Sequence, residues 1–462
     1  MDASEVGSHE AGWLNRALDT CSRPVRRQLN WLWSRGFRFL IVIDAAVLFG
    51  TLVAINFVRF GSNWPTYSKS HYAVGFLIAT TLQLVINYFS GLYEREPRLG
   101  PRPWLSRVSW AMAIGVALDG LFAVLFDRYL MPRLNLGVLL FVGSIVLTGT
   151  RYLSRRLADR RRGPAQVILV GAAADREQAR LALSRPGSAG VVVDETESVS
   201  SLLGVVSSTD ATDVLLLDLT AFSAAFPEPI TALDRLGIGL HQRVSAAETL
   251  MGLRTIGEVG GVPIARLRPH ALAGHQVRLK RVMDLTLIIA STPIWVPVAG
   301  AIALYVRVIA GAPVLYHQTR VGLDGKLFEL HKFRTMVRDA EVSSGPRLSE
   351  AGDTRVLRGA RWLRRSRLDE LPQLWNVLIG DMSLVGPRPE RPEFVAKISE
   401  QVPGYARRHS VRPGIAGLAQ VRGRYETDAA HKLGYDLQYL VNWTAVLDSQ
   451  LITRSIFRKQ WR

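Results

Sequence analysis

The apolar run LTLIIASTPIWVPVAGAIALYV occupies residues 285–306 and contains no charged residue. At 1.5 Å per helical residue, it is long enough to cross the roughly 30 Å hydrocarbon core of a membrane. Ser291, Thr292 and Pro293 lie near its middle, and Pro297 follows one turn later. Proline removes a helix hydrogen bond and bends the chain. We therefore predict a helix that breaks at Ser291 and Pro293.

Basic residues flank this run on both sides. They are Arg278, Lys280 and Arg281 before it, and Arg307, Arg320, Lys326, Lys332 and Arg334 after it. Cytoplasmic loops of membrane proteins carry an excess of such residues. A full crossing would place a strongly cationic C-terminal region outside the cell. We therefore predict a re-entrant helix that enters the cytoplasmic leaflet, bends and returns.

Four more apolar stretches lie in the first third of the chain, at residues 39–58, 74–93, 108–126 and 136–150. Basic residues are plentiful before the first stretch, between the second and third, and after the fourth, and are sparse in the other two loops. This alternation predicts a four-helix transmembrane bundle with both ends in the cytoplasm. A long polar leader argues against a cleaved signal peptide. We expect Asp44 and Asp119, inside two stretches, to be partnered polar groups or groups near the membrane interface, rather than a proton or ion path.

Composition agrees with this interpretation. The chain has 462 residues, 48% of them hydrophobic, and a formal net charge of +18. The high hydrophobicity excludes a disordered chain, and the single cysteine, Cys21, excludes a small disulfide-stapled fold. The basic residues follow the membrane flanks, so we expect no nucleic acid partner.

Residues 165–244 have the pattern of a Rossmann-like α/β domain. Two short apolar runs, VILVG at 167–171 and DVLLLDL at 213–219, are typical of buried parallel strands, with a helix-compatible segment at 175–185 between them. The glycine fingerprint of dinucleotide binding is missing after the first strand, where the sequence reads GAAAD. We expect a structural or regulatory module here. The predicted domains are residues 1–163, 164–274 and 275–462.

The C-terminal region is basic and rich in proline-containing motifs. Residues 355–368, RVLRGARWLRRSRL, predict an interfacial amphipathic helix whose cations face phospholipid headgroups. Such a cluster could equally be a tether for anionic lipids without a catalytic role.

Asp369 and Glu370 follow this segment directly. Adjacent residues on a helix point about 100° apart, so these carboxylates cannot share a proton as a facing pair does. One could act as a nucleophile and the other as an oxygen ligand for Mg²⁺. Arg364 and Arg388 offer planar guanidinium groups that suit phosphate oxygens. The set suits phosphoryl transfer at a membrane surface, although an ion-paired helix start would have the same spacing.

Several motifs in this region together resemble a known family. They are KRVMD at 280–284, KFRTM at 332–336, LDELPQ at 368–373, LVGPRP at 384–389, and VRPG at 411–414 with GLAQ at 417–420. In this order they resemble the bacterial sugar transferase family, the polyprenyl-phosphate phosphoglycosyl transferases with a single re-entrant membrane helix. With its preceding apolar stretches and α/β unit, the whole chain resembles the large multi-domain branch of that family.

The resemblance implies an activity. A nucleotide-diphosphate sugar would donate its sugar-1-phosphate to polyprenyl phosphate and release a nucleoside monophosphate. This is the first membrane step of exopolysaccharide, capsule or O-antigen synthesis. The enzyme would lie in the inner (cytoplasmic) membrane as a multi-pass protein, with its catalytic domain on the cytoplasmic face.

The resemblance also implies roles for individual residues. Asp369 would form a covalent phosphosugar-aspartyl intermediate, and Glu370 would hold Mg²⁺. The implied phosphate-binding residues are Arg364, Arg388, Lys332 and Arg334. Ser291 and Pro293 would bend the re-entrant helix. Arg367, Leu357 and Arg422 depart from residues common in the family, which leaves the choice of donor sugar open.

The expected partners are a nucleotide-diphosphate sugar, polyprenyl phosphate and membrane lipids, and the apolar bundle is compatible with a homodimer. Two other functions stay open from the residues alone. One is a non-catalytic membrane scaffold or regulator of polysaccharide assembly, against which the intact Asp-Glu pair argues. The other is a membrane-bound nucleotide-sugar epimerase, which would need the missing glycine fingerprint.

Overall fold

The computed structural model describes residues 39–64, 68–94, 98–99, 104–125, 132–185, 190–245, 248, 256–259, 262–267, 272–338, 353–423 and 428–457. The chain divides into two compact units, Met1–Pro164 and Ala165–Arg462. The polar leader before the first apolar stretch lies outside the described residues.

Among its described residues, the first unit contains four long helices. They are α1 (Phe39–Phe60), α2 (Lys69–Phe89), α3 (Trp104–Leu125) and α4 (Arg133–Arg162). Each is long and apolar enough to cross a membrane. The helices α1 and α3 both pack against α2 and α4. Their core includes Leu52, Phe76 and Met112, while Trp110 and Phe141 remain exposed on the outer surface. An apolar exterior around a packed interior is typical of helices that lie in lipid.

The interior of this unit holds a buried ion pair. Nη2 of Arg151 lies 2.5 Å from Oδ2 of Asp44, and both side chains are inaccessible to solvent. The hydroxyl of Tyr93 donates to the same carboxylate at 2.8 Å. The prediction that Asp44 is a partnered polar group is therefore confirmed. Within the described residues, Oδ1 of the buried Asp119 has no hydrogen-bond partner.

The second unit begins with a six-stranded sheet among its described residues. Its strands are β1 (Ala165–Val170), β2 (Gly190–Thr196), β3 (Asp213–Leu216), β4 (Gly239–Arg243), β5 (Ile256–Val259) and β6 (Val262–Arg266). The order is β2-β1-β3-β4-β6-β5, with the first four strands parallel and β6 antiparallel to its neighbours. The helices of this part are α5 (Ala173–Leu183), α6 (Leu202–Ser208), α7 (Leu219–Ala225) and α8 (Ile230–Arg235). Both predicted strands and the predicted helix between them are present.

The longest helix of the second unit, α9, runs from Gly274 to Ala310. It is apolar enough to cross a membrane and largely unburied within the protein. Pro293 and Pro297 lie inside it, and the backbone stays helical through both. The hydrogen-bonded helix is therefore continuous through Ser291 and Pro293, and the predicted bend at these residues stays a prediction. The hydroxyl of Ser291 donates to the carbonyl of Leu287 at 2.7 Å.

The rest of the second unit consists of short elements. They are β7 (Leu315–Val321), β8 (Leu327–Phe333), α10 (Arg361–Ser366), α11 (Gln373–Ile379), β9 (Ser383–Val385), α12 (Pro392–Gln401), β10 (Gly414–Ala416), α13 (Leu418–Arg422), α14 (Ala429–Val441) and α15 (Ala445–Phe457). Strands β7 and β8 form an antiparallel hairpin, and β9 pairs with β10 in parallel. The long apolar helices and the mixed sheet together make this a membrane α/β protein.

One predicted helix is wrong. Residues 355–368 form only the 3₁₀ turn Arg358–Ala360 and the short helix α10, instead of one amphipathic helix. Val356 forms a bridge with Met336, and the amide of Leu357 donates to the carbonyl of Thr335. This pairing holds the start of the segment extended. Leu363 is fully buried and only Trp362 of its large apolar side chains is exposed.

Candidate active site

Asp369 and Glu370 lie in the 3₁₀ turn Leu368–Glu370, between α10 and α11. The chain reaches this turn through Arg367, whose backbone is left-handed with a φ of 58°. Helices often end at such a residue, but a side chain there costs roughly 1 kcal/mol. Both carboxylates are only 8% exposed. Two adjacent acidic groups are thus held in the protein interior at the end of a sharp turn.

Glu370 lies between two cations that come from distant parts of the chain. Its Oε1 atom is 3.0 Å from Nζ of Lys332, in β8, and 3.1 Å from Nη2 of Arg388, just after β9. Burial alone would raise the pKa of Glu370, but the charges of Arg388 and Lys332 outweigh it and hold that pKa well below its usual range. Glu370 is therefore ionised at every pH near neutrality.

The second carboxylate oxygen of Glu370 points to a further ligand. Oε2 is buried and has no hydrogen-bond partner among the described residues. Buried polar atoms are normally paired, and an unpaired one calls for an explanation. A hard carboxylate oxygen is a preferred ligand of Mg²⁺, which binds proteins through one or two carboxylates and takes its other ligands from water and phosphate. The residues present therefore fit a magnesium ion at Glu370.

Asp369 has a different environment. Burial, together with the charge of Glu370, raises the pKa of Asp369 to about 6. Three cations oppose this rise: Lys332, Arg364 and Arg388. Within the described residues, no group donates a hydrogen bond to Asp369. It is therefore a buried carboxylate that is ionised at neutral pH and whose oxygens accept no hydrogen bond from the described residues.

A small pocket opens beside Glu370. Its polar lining consists of Arg320, Lys332, Glu370, Gln373 and Arg388, and Gly414 contributes backbone. Three cations around one carboxylate give a lining suited to the oxygens of a diphosphate. Sequence reasoning missed Arg320 and Gln373 as lining residues, because Arg320 looked like one of many cations beside the apolar run.

Arg408 holds the backbone of Arg388 in place. Its guanidinium donates to the carbonyl oxygen of Arg388 at 3.0 Å and pairs with Asp436 at 2.9 Å. Both partners of that ion pair are nearly inaccessible to solvent. Arg408 lies in the 3₁₀ segment Tyr405–Ser410, where the sequence shows only a pair of adjacent arginines. No signal in the sequence distinguishes this buried arginine from an exposed one.

The structure does not bring Arg334 to Glu370. Nη1 of Arg334 donates to the carbonyl of Ala312 and Nη2 to that of Gly311, each at 3.0 Å, and Nη2 also contacts the carbonyl of Ala310. These oxygens lie at the C-terminal end of α9, where a cation is stabilising. Arg334 thus caps the long helix. Arg364, by contrast, lies close enough to Asp369 for its charge to act on that carboxyl.

Comparison with known proteins shows that the part of the chain that contains the site matches a known family. Residues 275–461 match the family described as bacterial sugar transferase. The chain is 37% identical over 213 residues to the UDP-N-acetylgalactosamine-undecaprenyl-phosphate N-acetylgalactosaminephosphotransferase of Aeromonas hydrophila, which covers 46% of this chain and 49% of that protein. It is 38% identical over 206 residues to the UDP-glucose:undecaprenyl-phosphate glucose-1-phosphate transferase of Escherichia coli K12, covering 44% of each chain.

A protein with the same glucose-1-phosphate transferase name, from Caulobacter vibrioides, is 40% identical over 184 residues. This match covers 38% of the present chain but 68% of that protein. The matched region is therefore most of the Caulobacter protein and less than half of the Aeromonas and Escherichia proteins.

Proposed function

Since this chain belongs to the bacterial sugar transferase family, we propose that it transfers a sugar-1-phosphate from a UDP-sugar to undecaprenyl phosphate. The observation that carries the proposal is the buried Asp369 and Glu370 pair, with Glu370 held between Lys332 and Arg388. Relatives named for this reaction with glucose or N-acetylgalactosamine support the two substrates. The step would begin exopolysaccharide, capsule or O-antigen synthesis.

The proposed reaction has two displacements at the β-phosphorus of the donor. In the first, a carboxylate oxygen of Asp369 forms a bond to that phosphorus, and the bond to the bridging oxygen breaks, so that UMP leaves. In the second, a phosphate oxygen of undecaprenyl phosphate forms a bond to the same phosphorus, and the bond to Asp369 breaks. The products are undecaprenyl-diphosphate-sugar and a regenerated carboxylate. Two steps allow one site to serve a soluble donor and then a lipid acceptor.

The charged side chains of the site would bind the phosphate oxygens and the metal ion. Arg388 and Lys332, together with Arg364, would bind the donor's phosphate oxygens, and Glu370 keeps the first two in place before substrate arrives. Glu370 would also hold Mg²⁺ through its free oxygen. When bound, the ion would screen the repulsion between the attacking carboxylate and the diphosphate.

We propose that α9 is a re-entrant helix that bends at Ser291 and Pro293. Ile288, before the prolines, lies in one core cluster with Leu330 of β8, whereas Ile302, after them, lies in another core cluster with Phe333 of the same strand. In a straight helix, Ile288 and Ile302 would be about 21 Å apart. Leu330 and Phe333 are only about 10 Å apart along a strand. Both halves of α9 thus share a core cluster with one short strand, which supports a bend.

We also propose the remaining topology. The four helices α1 to α4 would form a transmembrane bundle in the inner membrane, with the catalytic part at the cytoplasmic face among membrane lipids. The parallel order β2-β1-β3-β4 supports a Rossmann-like domain. A homodimer is part of the proposal and is testable by the mass of the purified protein in detergent.

The reaction is tested with full-length protein, undecaprenyl phosphate, Mg²⁺ and a panel of UDP-sugars, with UMP release as the readout. We expect release with one donor and none with Asp369→Asn. Rapid quenching with a donor labelled in its β-phosphate, without acceptor, should leave label on the wild-type protein alone. Turnover without labelled protein would refute the aspartyl intermediate. If the folded protein released UMP with none of the donors, the result would favour the non-catalytic scaffold or regulator instead.

The magnesium ligand and the bend have separate tests. Glu370→Gln should reduce the response of the rate to Mg²⁺, and an unchanged Mg²⁺ titration would remove Glu370 from the metal site. For the bend, Val277→Cys and Ala312→Cys are compared in a Cys21→Ser background, because both positions are exposed, one near the start of α9 and the other two residues beyond its end. Impermeant thiol reagents should label both from the cytoplasmic side. Labelling from opposite sides would mean that α9 crosses the membrane.

A further inference from the structure

The β7–β8 hairpin carries three potential metal ligands on one face. His317 of β7 lies directly opposite His331 of β8, and Glu329 is two residues before His331 on the same strand. Residues two apart on a strand point to the same side. Their ligand atoms all lie within 4.8 Å of one another. The other face of β8 points inward, with Leu330 buried and Lys332 at Glu370.

The distances match a metal site closely. Nδ1 of His317 is 2.8 Å from Nδ1 of His331 and 3.5 Å from Oε1 of Glu329. Two ligands of a tetrahedral Zn²⁺, each at about 2.05 Å from the ion, lie about 3.3 Å apart. The two observed distances bracket that value. The imidazole rings would need to separate by only about 0.5 Å to admit the ion.

The backbone that carries two of the ligands is already fixed. Asn376 of α11, which is fully buried, donates from Nδ2 to the carbonyl of Glu329 at 2.8 Å and accepts from the amide of His331 at 3.1 Å. The amide of His331 is therefore directed away from β7. The pair of His317 and His331 is consequently of the non-hydrogen-bonded type, in which opposite side chains are closest. Ligands held in advance lose less entropy when they bind.

We propose that His317, His331 and Glu329 form a binding site for a divalent transition metal, with Zn²⁺ as the ion that the ligands fit best. Two imidazoles and a carboxylate are a common zinc set, and they leave a fourth position for water. The ion would join β7 to β8 beside Lys332. It is distinct from the magnesium proposed at Glu370, which lies on the opposite face of β8.

The test is a Zn²⁺ titration by calorimetry, with full-length protein purified without a polyhistidine tag, stripped by chelator and kept in excess Mg²⁺. We expect one Zn²⁺ per chain. His317→Gln and His331→Gln should each weaken binding at least roughly tenfold, and the double variant should abolish it. His431→Gln, an exposed histidine on α14, and Glu370→Gln should bind as the wild type does.

Co²⁺ gives a second readout that does not depend on affinity. Bound at this site, it should show the intense visible absorption of four-coordinate cobalt, and His331→Gln should lose it while retaining its far-ultraviolet circular dichroism. Wild-type protein that binds no Zn²⁺ in excess Mg²⁺ would overturn the proposal. Equal binding by the double histidine variant would overturn it as well.

Discussion

Lys280 and Asp448 are 168 residues apart in the chain, yet Nζ of the lysine lies 2.6 Å from Oδ2 of the aspartate. Both side chains are less than a tenth exposed. The pair joins α9, near its start, to α15. Tyr439 and Trp443 also donate to Asp448, at 2.8 and 3.0 Å. The buried carboxylate of Asp448 therefore joins α9 to α15 and accepts hydrogen bonds from three side chains.

We predict that Asp448→Asn destabilises the protein strongly, because it leaves Lys280 buried without a counter-charge. Breaking one side of a buried pair costs about 3–5 kcal/mol. Thermal unfolding in detergent should show the loss. Glu393→Gln makes the same chemical change at an exposed carboxylate, which pairs with Arg391, and should cost at most about 1 kcal/mol. Lys280→Met/Asp448→Leu should recover part of the loss, and equal stability of Asp448→Asn and Glu393→Gln would contradict the prediction.

We predict that Asp369→Asn raises stability at neutral pH while it abolishes turnover. The folded state raises the pKa of Asp369 from 3.8 to about 6, so the folded protein binds the proton more tightly than the unfolded chain does. Ionisation therefore destabilises the fold as pH rises from about 4 to 6, by roughly 3 kcal/mol in total. The amide in Asp369→Asn carries no charge, so the variant does not lose this stability as the pH rises. Unfolding temperatures at pH 7.5 measure the gain, and a lower value for Asp369→Asn would contradict the prediction.

Some of these features could be predicted from local sequence. The apolar runs became α1 to α4 and α9 because length and hydropathy depend only on neighbouring residues. The adjacency of Asp369 and Glu370 was also visible. The position of Glu370 between Lys332 and Arg388 was not, because those cations lie 38 and 18 residues away in the chain and meet it only in the folded protein.

The errors have the same origin. The segment at 355–368 has the composition of a helix, but Val356 and Leu357 pair with Met336 and Thr335, so tertiary contacts override helix propensity. The family resemblance implied phosphate binding by Arg334, because a shared motif shows the residue and not its partners in the fold. Those partners are backbone oxygens of residues 310–312.

We predict that two cations separated by one residue have different roles. Lys332→Met removes a contact of Glu370, so kcat/KM should fall by about 10²-fold. Stability should change little, because Arg388 still pairs with Glu370 and no buried charge is left without a partner. Arg334→Met removes charged hydrogen bonds at the end of α9, so stability should fall by roughly 2 kcal/mol while activity per folded molecule is retained. UMP release and thermal unfolding measure the two effects. The same loss pattern in both variants would contradict the assignment.

We predict one acid limb in the pH dependence of kcat/KM, with a midpoint near pH 6. The nucleophile must be ionised, and burial raises the pKa of Asp369 to about 6. Below that value the rate should fall about tenfold per pH unit. Glu370 adds no limb above pH 4.5, because Arg388 and Lys332 hold its pKa well below the usual 4.5 against the effect of burial.

The position of this limb can be moved by removing a single charge. Lys332 lowers the pKa of Asp369, so Lys332→Met should shift the limb to higher pH, since the carboxylate then loses a stabilising cation. Arg334→Met is the matched control, because its guanidinium binds the end of α9 instead, and its limb should stay near pH 6. Initial rates of UMP release between pH 4.5 and 8, at saturating Mg²⁺, provide the comparison. If the wild-type limb lay near pH 4, or if Lys332→Met left it unmoved, the ionisation seen in the rate would not be that of Asp369.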